Sequence, residues 1–448
     1  MASVMWFRRD LRLHDHPALD AAAAEGPVLA LFVLDEALRG PSGAPRLAFL
    51  YRTLRALDED LRGRAGRLIV RRGKPEDIVP AVAAEVAATS VHVSADFGPY
   101  GSSRDDRVAE QLGGVPLVRT GSPYAVAPGR VVKPDGAPYK VYGPFYRAWR
   151  EHGWRAPARA TAGRTGWVTA VGDTGIPDDP DLASGVRLPD AGEDAARTAW
   201  QRFRRHHLRD YPGERDRPDL DTTSRMSVYL KYGSIHPRTL LADLGPADET
   251  LRKELAWREF YAAVLYFWPD SARGCYQAEM ARMTYSTGAR AEAHFAAWQR
   301  GETGYPIVDA GMRQLLAEGW MHNRVRMIVA SFLVKDLHLE WTAGARHFMN
   351  HLLDGDLASN QHGWQWTAGT GTDAAPYSRV FNPTTQALKF DPDGDYVRRW
   401  VPELRGLAGR AAHEPVAHGG VAGYPDPIVD HAREREVALE RYQAVRGR

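Results

Sequence analysis

Cysteine is nearly absent from the 448-residue chain, which contains only Cys275. An internal disulfide is therefore excluded, and we expect a reducing, cytoplasmic setting. Long apolar runs are missing too, since no segment approaches the roughly 18 apolar residues that cross a bilayer. The first residues, MASVMWFRRDLR, become charged before any apolar h-region, so we expect neither a signal peptide nor a membrane partner.

A dominant charge is also missing. The net charge is +2, which alone indicates no particular partner. Arginine is nevertheless concentrated in residues 197–217, which contain seven arginines and three acidic residues. This cluster is either a solvated helix face or a surface for anions such as DNA phosphates, and the sequence leaves both possibilities open.

The first 120 or so residues alternate short apolar segments with amphipathic ones. SVMWF, PVLALFVL and RLIVRRG are typical of buried strands, and PRLAFLYRTLRALDEDL is typical of a helix. This alternation predicts an α/β, Rossmann-like domain with a parallel sheet and helices on both faces. The glycine-rich fingerprint GxGxxG does not follow the first strand, so we expect no ordinary dinucleotide site there.

The composition changes twice along the chain. After residue 125 glycine, proline, aspartate and threonine become frequent, and from about residue 195 a helical periodicity continues almost to the end. We therefore predict an α/β domain over 1–125, a linker over 126–195 and a large all-α domain over 196–448.

Aromatic residues are abundant, with 13 tryptophans and 18 tyrosines. Glu254, Trp257, Arg258 and Tyr261 have the spacing of a single helix face. A face with an acid, an indole, a guanidinium and a phenol is not an apolar core stripe. It is either a partly exposed surface with a Glu254–Arg258 ion pair or a site for a planar, polar ligand.

Two further clusters combine polar groups with predicted helices. The hydroxyl-rich segment 222–227, TTSRMS, precedes a helix, where it can cap the helix or bind an anion. Arg326 begins a half-buried helix and needs an acidic partner. Asp354 and Asp356 can each supply that partner or can bind the hydroxyls of a ribose.

Five segments, taken in order, resemble the photolyase/cryptochrome family of flavoproteins. They are WFRRDLRLHDHPAL, TSRMSVYLKYGSIHPR, ELAWREFY, TGYPIVDAGMRQLLAEGWMHNRVRM and DGDLASNQHGWQWTAGTGTDAAPYSRVFNPTTQALKFDPDG. The similarity covers essentially the whole chain and is greatest to class I members that act on cyclobutane pyrimidine dimers. It implies a carbon–carbon lyase that repairs UV-damaged DNA. In such enzymes excited FADH⁻ donates an electron to a flipped-out dimer, the ring splits, and the electron returns.

The resemblance also implies which residues hold FAD. Arg258 would lie against the flavin, Arg326 would pair with Asp354, and Asp354 and Asp356 would line the isoalloxazine and the ribose. Asn360 would face flavin N5, where an amide can hydrogen-bond without adding negative charge. The residues expected to bind the FAD phosphates are Tyr211, Thr223, Ser224, Arg225, Met226 and Ser227.

The dimer pocket would contain polar groups and two indoles, which can replace the stacking that a flipped dimer loses. Glu254 could hydrogen-bond the base edge and steady the radical anion if it carries a proton. The pocket residues are Glu254, Trp257, Asn323, Met327 and Trp366. DNA phosphates would be bound by Arg215, Arg324 and the cluster at 197–209.

Electron transfer to the flavin would begin at Trp364 and continue to Trp341. The surface tryptophan that ends this chain in the family is missing, and the region reads RMTYSTGARAEAHFAAW. We predict that Tyr285 replaces it, or that another aromatic such as Trp298 does. Leu251 stands where relatives have a tryptophan, which changes the packing around FAD.

The stretch 95–108, ADFGPYGSSRDDRV, resembles the PYGxxRD segment of members that use an 8-hydroxy-5-deazaflavin antenna. Arg46, Tyr100 and Asp105 would contact this pigment. The Ser102-Ser103 pair departs from the usual charged residue, so a folate antenna or no antenna stays open. The resemblance suggests a monomer. A cryptochrome-type light sensor and a general flavin electron-transfer protein are the alternative functions.

Overall fold

The computed structural model describes residues 2–158, 165–373 and 377–446. Parts of the predicted linker, 159–164, and of the tryptophan motif, 374–376, lie outside the described residues. The chain forms two compact units. Unit 1 is Met1–Leu182, Leu188–Arg209 and Ser224–Pro269, and unit 2 is Ala183–Arg187, Asp210–Thr223 and Asp270–Arg448. The domain boundaries predicted at 125 and 195 stay predictions.

Unit 1 contains a parallel sheet whose strands follow the apolar segments of the sequence. Its strands are β1 (Ala2–Phe7), β2 (Val28–Leu34), β3 (Leu68–Arg72), β4 (Ala88–Val93) and β5 (Leu117–Arg119), in the order β3-β2-β1-β4-β5. Strands β1 and β2 are buried at every residue, as expected of a sheet covered on both faces. The predicted α/β fold class is confirmed.

The α-helices between residues 17 and 267 lie between the strands in the sequence or follow the last strand. They are α1 (Pro17–Glu25), α2 (Glu36–Arg39), α3 (Ala44–Arg62), α4 (Pro75–Glu85), α5 (Pro99–Gln111), α6 (Tyr142–His152), α7 (Glu193–His206), α8 (Tyr211–Glu214), α9 (Met226–Tyr232), α10 (Pro237–Ala242) and α11 (Glu249–Phe267). Helix α8 belongs to unit 2 and the others to unit 1. Helices α6 and α11 pack against each other.

Unit 2 is helical over its described part. Its remaining α-helices are α12 (Ala289–Arg300), α13 (Pro306–Glu318), α14 (Asn323–Ser331), α15 (Trp341–His351), α16 (Leu357–Ala368), α17 (Pro383–Phe390), α18 (Asp395–Trp400), α19 (Arg410–His413) and α20 (His431–Arg446). A π-helical segment, Phe332–Asp336, continues α14. The apolar core of this unit includes Trp298, Phe332, Trp341 and Trp364. The predicted all-α half is confirmed.

None of the helices within the described ranges is long and apolar enough to cross a membrane.

Candidate functional site

Helix α16 carries the two neighbouring tryptophans on different faces. Asp356 caps its first turn by accepting a hydrogen bond from the Ser359 backbone N–H (3.0 Å), and Gly369 ends it in the left-handed conformation. Two residues along a helix rotate the side chain by about 200°. Trp364 is accordingly buried, whereas Trp366 is partly exposed. The two indoles therefore face different surroundings, one in the core of unit 2 and one with solvent access.

The buried face of α16 also carries Asn360, one turn before Trp364. Its Nδ2 donates to the Ala345 carbonyl (3.1 Å) and to Gln361 Oε1 (2.9 Å). Both amide hydrogens are thus engaged, and the remaining capacity of this amide is that of an acceptor. The side chain is fixed in orientation by α15 and by its own helix.

Asp354 and Arg326 form the ion pair that the family resemblance implies. Arg326 Nη2 lies 2.9 Å from Asp354 Oδ2, and Arg326 Nε donates to the Met321 carbonyl (2.8 Å). Asp354 is buried. The guanidinium is held at two points, so the carboxylate before α16 has a fixed, compensated position.

Two threonines that precede α9 in the sequence have hydroxyl groups that could bind a ligand. Thr222 and Thr223 each have a buried hydroxyl oxygen without a hydrogen-bond partner in the part of the chain that the structure describes. Leaving buried polar groups unsatisfied is unfavourable. Two adjacent hydroxyls of this kind fit a ligand with acceptor oxygens, such as the phosphates of a dinucleotide.

Trp257 of α11 lies against another aromatic ring. It stacks on Tyr142 of α6 with ring centroids 3.7 Å apart and an interplanar angle of 7°. Trp257 and Glu254 are both partly exposed. Arg258 donates to the carbonyls of Pro123 (3.0 Å) and Leu230 (3.3 Å), so its guanidinium ties α11 to backbone within unit 1.

The residues of unit 2 that are predicted to contact the dimer through polar or sulfur groups lie at the start of α14. Asn323 is exposed and Met327 partly exposed. Arg324 forms an ion pair with Asp216 (2.9 Å), and its guanidinium lies 4.4 Å from the centre of the Phe390 ring. The Arg324 guanidinium therefore lies close to the surface, and Asp216 partly neutralises its charge.

The other predicted DNA-binding arginines also have partners. Arg215 follows α8 and lies 5.9 Å from the centre of the Tyr211 ring. In α7, Arg204 pairs with Asp243 at 2.8 Å. The basic cluster at 197–209 is thus largely a single helix in unit 1, with exposed arginines on its outer side.

The predicted electron-transfer residues all lie in unit 2, in two groups of contacts. Trp341 is buried, and its side chain hydrogen-bonds the Cys275 thiol. Burial raises the pKa of Tyr285. Tyr285 and Cys275 both pack against the small apolar cluster that contains Met280 and Tyr377. Trp298, the alternative, is fully buried, meets Trp364 edge-on at 6.1 Å and donates to the Val329 carbonyl (3.1 Å).

Two of the three predicted antenna residues share α5. The Tyr100 hydroxyl donates to Asp35. Asp105 pairs with Arg8 and, at 2.8 Å, with Arg104. Arg46 lies on α3, where its carbonyl accepts a hydrogen bond from Tyr232. Tyr100 and Asp105 thus have side-chain partners inside unit 1, whereas the hydrogen bond between Arg46 and Tyr232 is made by the Arg46 backbone carbonyl. Among the described residues, Asp105 Oδ2 is buried without a hydrogen-bond partner.

Sequence reasoning missed two residues that hold α11. They are Tyr142 and Glu259. Glu259 is buried and accepts hydrogen bonds from three donors, the Ala125 N–H, the Val126 N–H (3.0 Å) and Trp149 Nε1 (2.6 Å). Burial raises the pKa of Glu259 to about 6. The aromatic spacing of YGPFYRAW was a signal for α6, but it does not reveal which residue of α11 lies opposite.

The chain thus combines a parallel-sheet unit with an all-α unit that carries a polar, tryptophan-rich helix, and its class follows from its family. Family models described as "DNA photolyase" and "FAD binding domain of DNA photolyase" match residues 3–162 and 250–444. The chain belongs to the DNA photolyase family, whose enzymes bind FAD and use light to repair DNA.

Individual relatives cover nearly the entire chain. The deoxyribodipyrimidine photo-lyase of Streptomyces griseus is 42% identical over 468 residues, covering 99% of both chains. The crystal structure of a class III photolyase from Agrobacterium tumefaciens has a TM-score of 0.89 at 35% identity, covering 100% of this chain and 98% of that one. An archaeal photolyase from Sulfolobus tokodaii, solved with two FAD molecules, has a TM-score of 0.87 at 29% identity, covering 99% and 100%.

Proposed function

We propose that this chain splits cyclobutane pyrimidine dimers in UV-damaged DNA into two pyrimidines in a light-driven reaction. The observation that carries the proposal is the arrangement on α16. Asn360 and Trp364 occupy the buried face, and Trp366 keeps access to solvent. One helix can thus contact a buried cofactor on one side and a nucleobase on the other. Bound FAD in its reduced form supplies the light-excited electron for the cleavage.

The cofactor would be held by residues whose present contacts fit its parts. The buried hydroxyls of Thr222 and Thr223 suit phosphate oxygens. The acceptor oxygen of Asn360 suits a flavin N–H group, because both amide hydrogens are already used. The Arg326–Asp354 pair provides a fixed, neutralised carboxylate. The further residues proposed for FAD are Tyr211, Ser224, Arg225, Met226, Ser227, Arg258 and Asp356.

The lesion would be bound by partly exposed indoles and polar groups. Trp366 and Trp257 each retain accessible ring surface, and stacking on an aromatic ring contributes about 1–3 kcal/mol per base. Glu254, Asn323 and Met327 would contact the edges of the dimer. Arg215, Arg324 and the arginines of α7 would bind phosphates without reading sequence.

Electrons would reach the cofactor site through the aromatic residues of unit 2. We propose the order Tyr285, Trp341, Trp364, with the phenol as the outer donor. Tyr285 is partly exposed and packs against the same small apolar cluster as Cys275. The Cys275 thiol in turn hydrogen-bonds the Trp341 side chain. Trp298 is fully buried, which disfavours it as the point where an external reductant delivers an electron.

The remaining proposals concern antenna, location and assembly. We propose 8-hydroxy-5-deazaflavin as the antenna, contacted by Arg46, Tyr100 and Asp105, with a folate or no antenna as alternatives. In the Sulfolobus tokodaii photolyase, the presence of two FAD molecules implicates a novel light-harvesting cofactor, so a second FAD is a further alternative for this chain. We also propose a cytoplasmic monomer, and we retain the predicted boundaries at 125 and 195.

The test is light-dependent repair by protein with reduced FAD. An oligonucleotide with one thymine dimer is incubated in blue light and in the dark, and intact thymines are counted over time. We expect repair only in light, loss of most repair in Trp366→Ala, and substantial retention in Trp366→Phe, which keeps an aromatic face. No repair by protein shown to contain reduced FAD would favour the cryptochrome-type light sensor. Repair of a different lesion would retain the family but refute the proposed substrate.

A further inference from the structure

We propose that Tyr142 is a positioning residue that sets the orientation of the Trp257 indole and thereby the preference for damaged over intact DNA. The inference rests on the proposed role of Trp257 in lesion binding. Its evidence is the near-parallel contact between the two rings, at 3.7 Å and 7°. This contact covers much of one indole face with a ring from α6.

Tyr142, a residue of α6, is itself anchored to α11, the helix that carries Trp257. Its hydroxyl donates to the Lys253 carbonyl at 2.7 Å, one turn before Trp257 in α11. Its ring is buried, and Phe260 lies edge-on to it at 5.8 Å. The phenol is thus held at its polar end, at its edge and across its face. A side chain so constrained can serve as a rigid support for the indole.

The ring of Tyr142 is also one member of a longer aromatic stack. Tyr146 stacks on Tyr142 at 5.9 Å and 26°, and Trp149 stacks on Tyr146 at 6.1 Å and 25°. Trp149 is fully buried and donates to the buried carboxylate of Glu259. The support under Trp257 therefore continues into the core of unit 1.

Trp257 needs such a support because its own helix does not bury it. It is partly exposed, and its other ring neighbours, Phe260 and Tyr261, meet it at 76° and 45°. Neither of them lies parallel to the indole. Without Tyr142 the indole could populate other rotamers, and a flipped base would have to select one of them on binding. Preorganised aromatic surfaces bind more tightly because this ordering is already complete.

The experiment is a set of binding measurements in the dark, which do not depend on catalysis. The ratio of dissociation constants for intact duplex and for thymine-dimer duplex is measured with labelled DNA. We expect Tyr142→Leu to lower this preference about fivefold, in line with the energy of a stacked aromatic pair. Tyr142→Phe keeps the ring and should stay within about twofold. Tyr146→Leu removes a ring that contacts Tyr142 but not Trp257, and it should lower the preference less than Tyr142→Leu does.

A double-mutant cycle separates positioning from a direct contact. If Tyr142 acts through Trp257, Tyr142→Leu adds nothing to the loss caused by Trp257→Ala. FAD content and melting temperature show whether each variant is folded, and Tyr142→Met replaces Tyr142→Leu if the latter does not fold. Additive losses, or an unchanged preference in the Tyr142 variant, would overturn the inference alone. An unchanged preference in Trp257→Ala would overturn the proposed lesion role of Trp257 and the inference with it.

Discussion

Helices α11 and α16 both carry a tryptophan proposed to bind the lesion, but they are held in place differently. In α16 the cap Asp356 and the anchored Asn360 lie in the same short segment as Trp364 and Trp366. In α11 the orientation of Trp257 depends on Tyr142, which is distant in sequence. The helix is also tied through Glu259 to the loop at 125–126. The site on α16 is therefore encoded largely by one motif, whereas the site on α11 requires the surrounding fold.

The largest effect is expected where α11 depends on a single buried group. Glu259→Ala would leave two backbone N–H groups and the Trp149 indole N–H without their acceptor. We expect the free energy of unfolding to fall by about 4 kcal/mol, because each buried donor left unsatisfied costs about 1–3 kcal/mol. Denaturant titration measures the change. A loss below about 1 kcal/mol, the low end of the cost of one such donor, would show that α11 does not depend on this clamp.

The same residue predicts a pH dependence of defined sign. The pKa of Glu259 is raised to about 6 by burial, so the folded state binds this proton more tightly than the unfolded state. Its contribution to stability is full below about pH 4.5 and is lost as the pH rises through about 6, by roughly 2 kcal/mol. We expect the stability of the wild type minus that of Glu259→Gln to fall by this amount between about pH 4.5 and 7. A constant difference would contradict the raised pKa.

Helix α16 is expected to be most sensitive at its contact with α15. A Cβ at Gly344 would meet the Trp364 ring and, at 2.5 Å, Leu333 Cδ2. We expect Gly344→Ala to lower the free energy of unfolding by about 2–3 kcal/mol, the upper part of the usual cost of overpacking a core. Gly363 of α16 is a matched control, since a Cβ there meets nothing within 4 Å. Gly363→Ala should be neutral or stabilise by up to about 1 kcal/mol, and a similar loss in both variants would argue against a specific Trp364 contact.

The difference between the two helices also explains what the sequence could predict. The strands could be predicted because segments such as VLALFVL are apolar throughout, as in β2. An acidic partner for Arg326 could be predicted because a half-buried guanidinium needs a carboxylate nearby, whereas the choice of Asp354 over Asp356 came from the family resemblance. The stacking of Tyr142 on Trp257 could not, because nothing local pairs a residue of α6 with one of α11. Asp216 was likewise not identified as the partner of Arg324.

A smaller effect should show whether Tyr285 or Trp298 is the outermost residue of the electron-transfer route that includes Trp364. We expect Tyr285→Phe to slow photoreduction of the bound flavin by a thiol about tenfold, equivalent to roughly 1.4 kcal/mol in activation free energy, because phenylalanine is much harder to oxidise than tyrosine. Trp298→Phe should change the rate little, since Trp298 is fully buried. Laser-flash absorption measures both rates, with binding of dimer-containing DNA in the dark as the control for folding. The opposite ranking would assign the terminal position to Trp298.

The smallest effect is expected at Arg324, whose charge is already shared with Asp216 at 2.9 Å. Arg324→Ala should weaken the binding of intact DNA and of dimer-containing DNA about equally. It should also reduce the steepness of the plot of log K against log salt concentration by about 0.9, as for one lost phosphate contact. Arg300→Ala, which removes an exposed arginine paired with Glu302, is the control for overall charge and should leave the slope nearly unchanged.

Asp216→Asn tests the same contact in the opposite direction. Because it releases the Arg324 guanidinium from its acidic neighbour, it should strengthen binding of both DNAs by about two- to threefold, within the usual range for an exposed ion pair. If Arg324→Ala instead abolishes the preference for damaged DNA, this arginine contacts the lesion and not only the phosphates, and the site on unit 2 extends beyond the indole of α16.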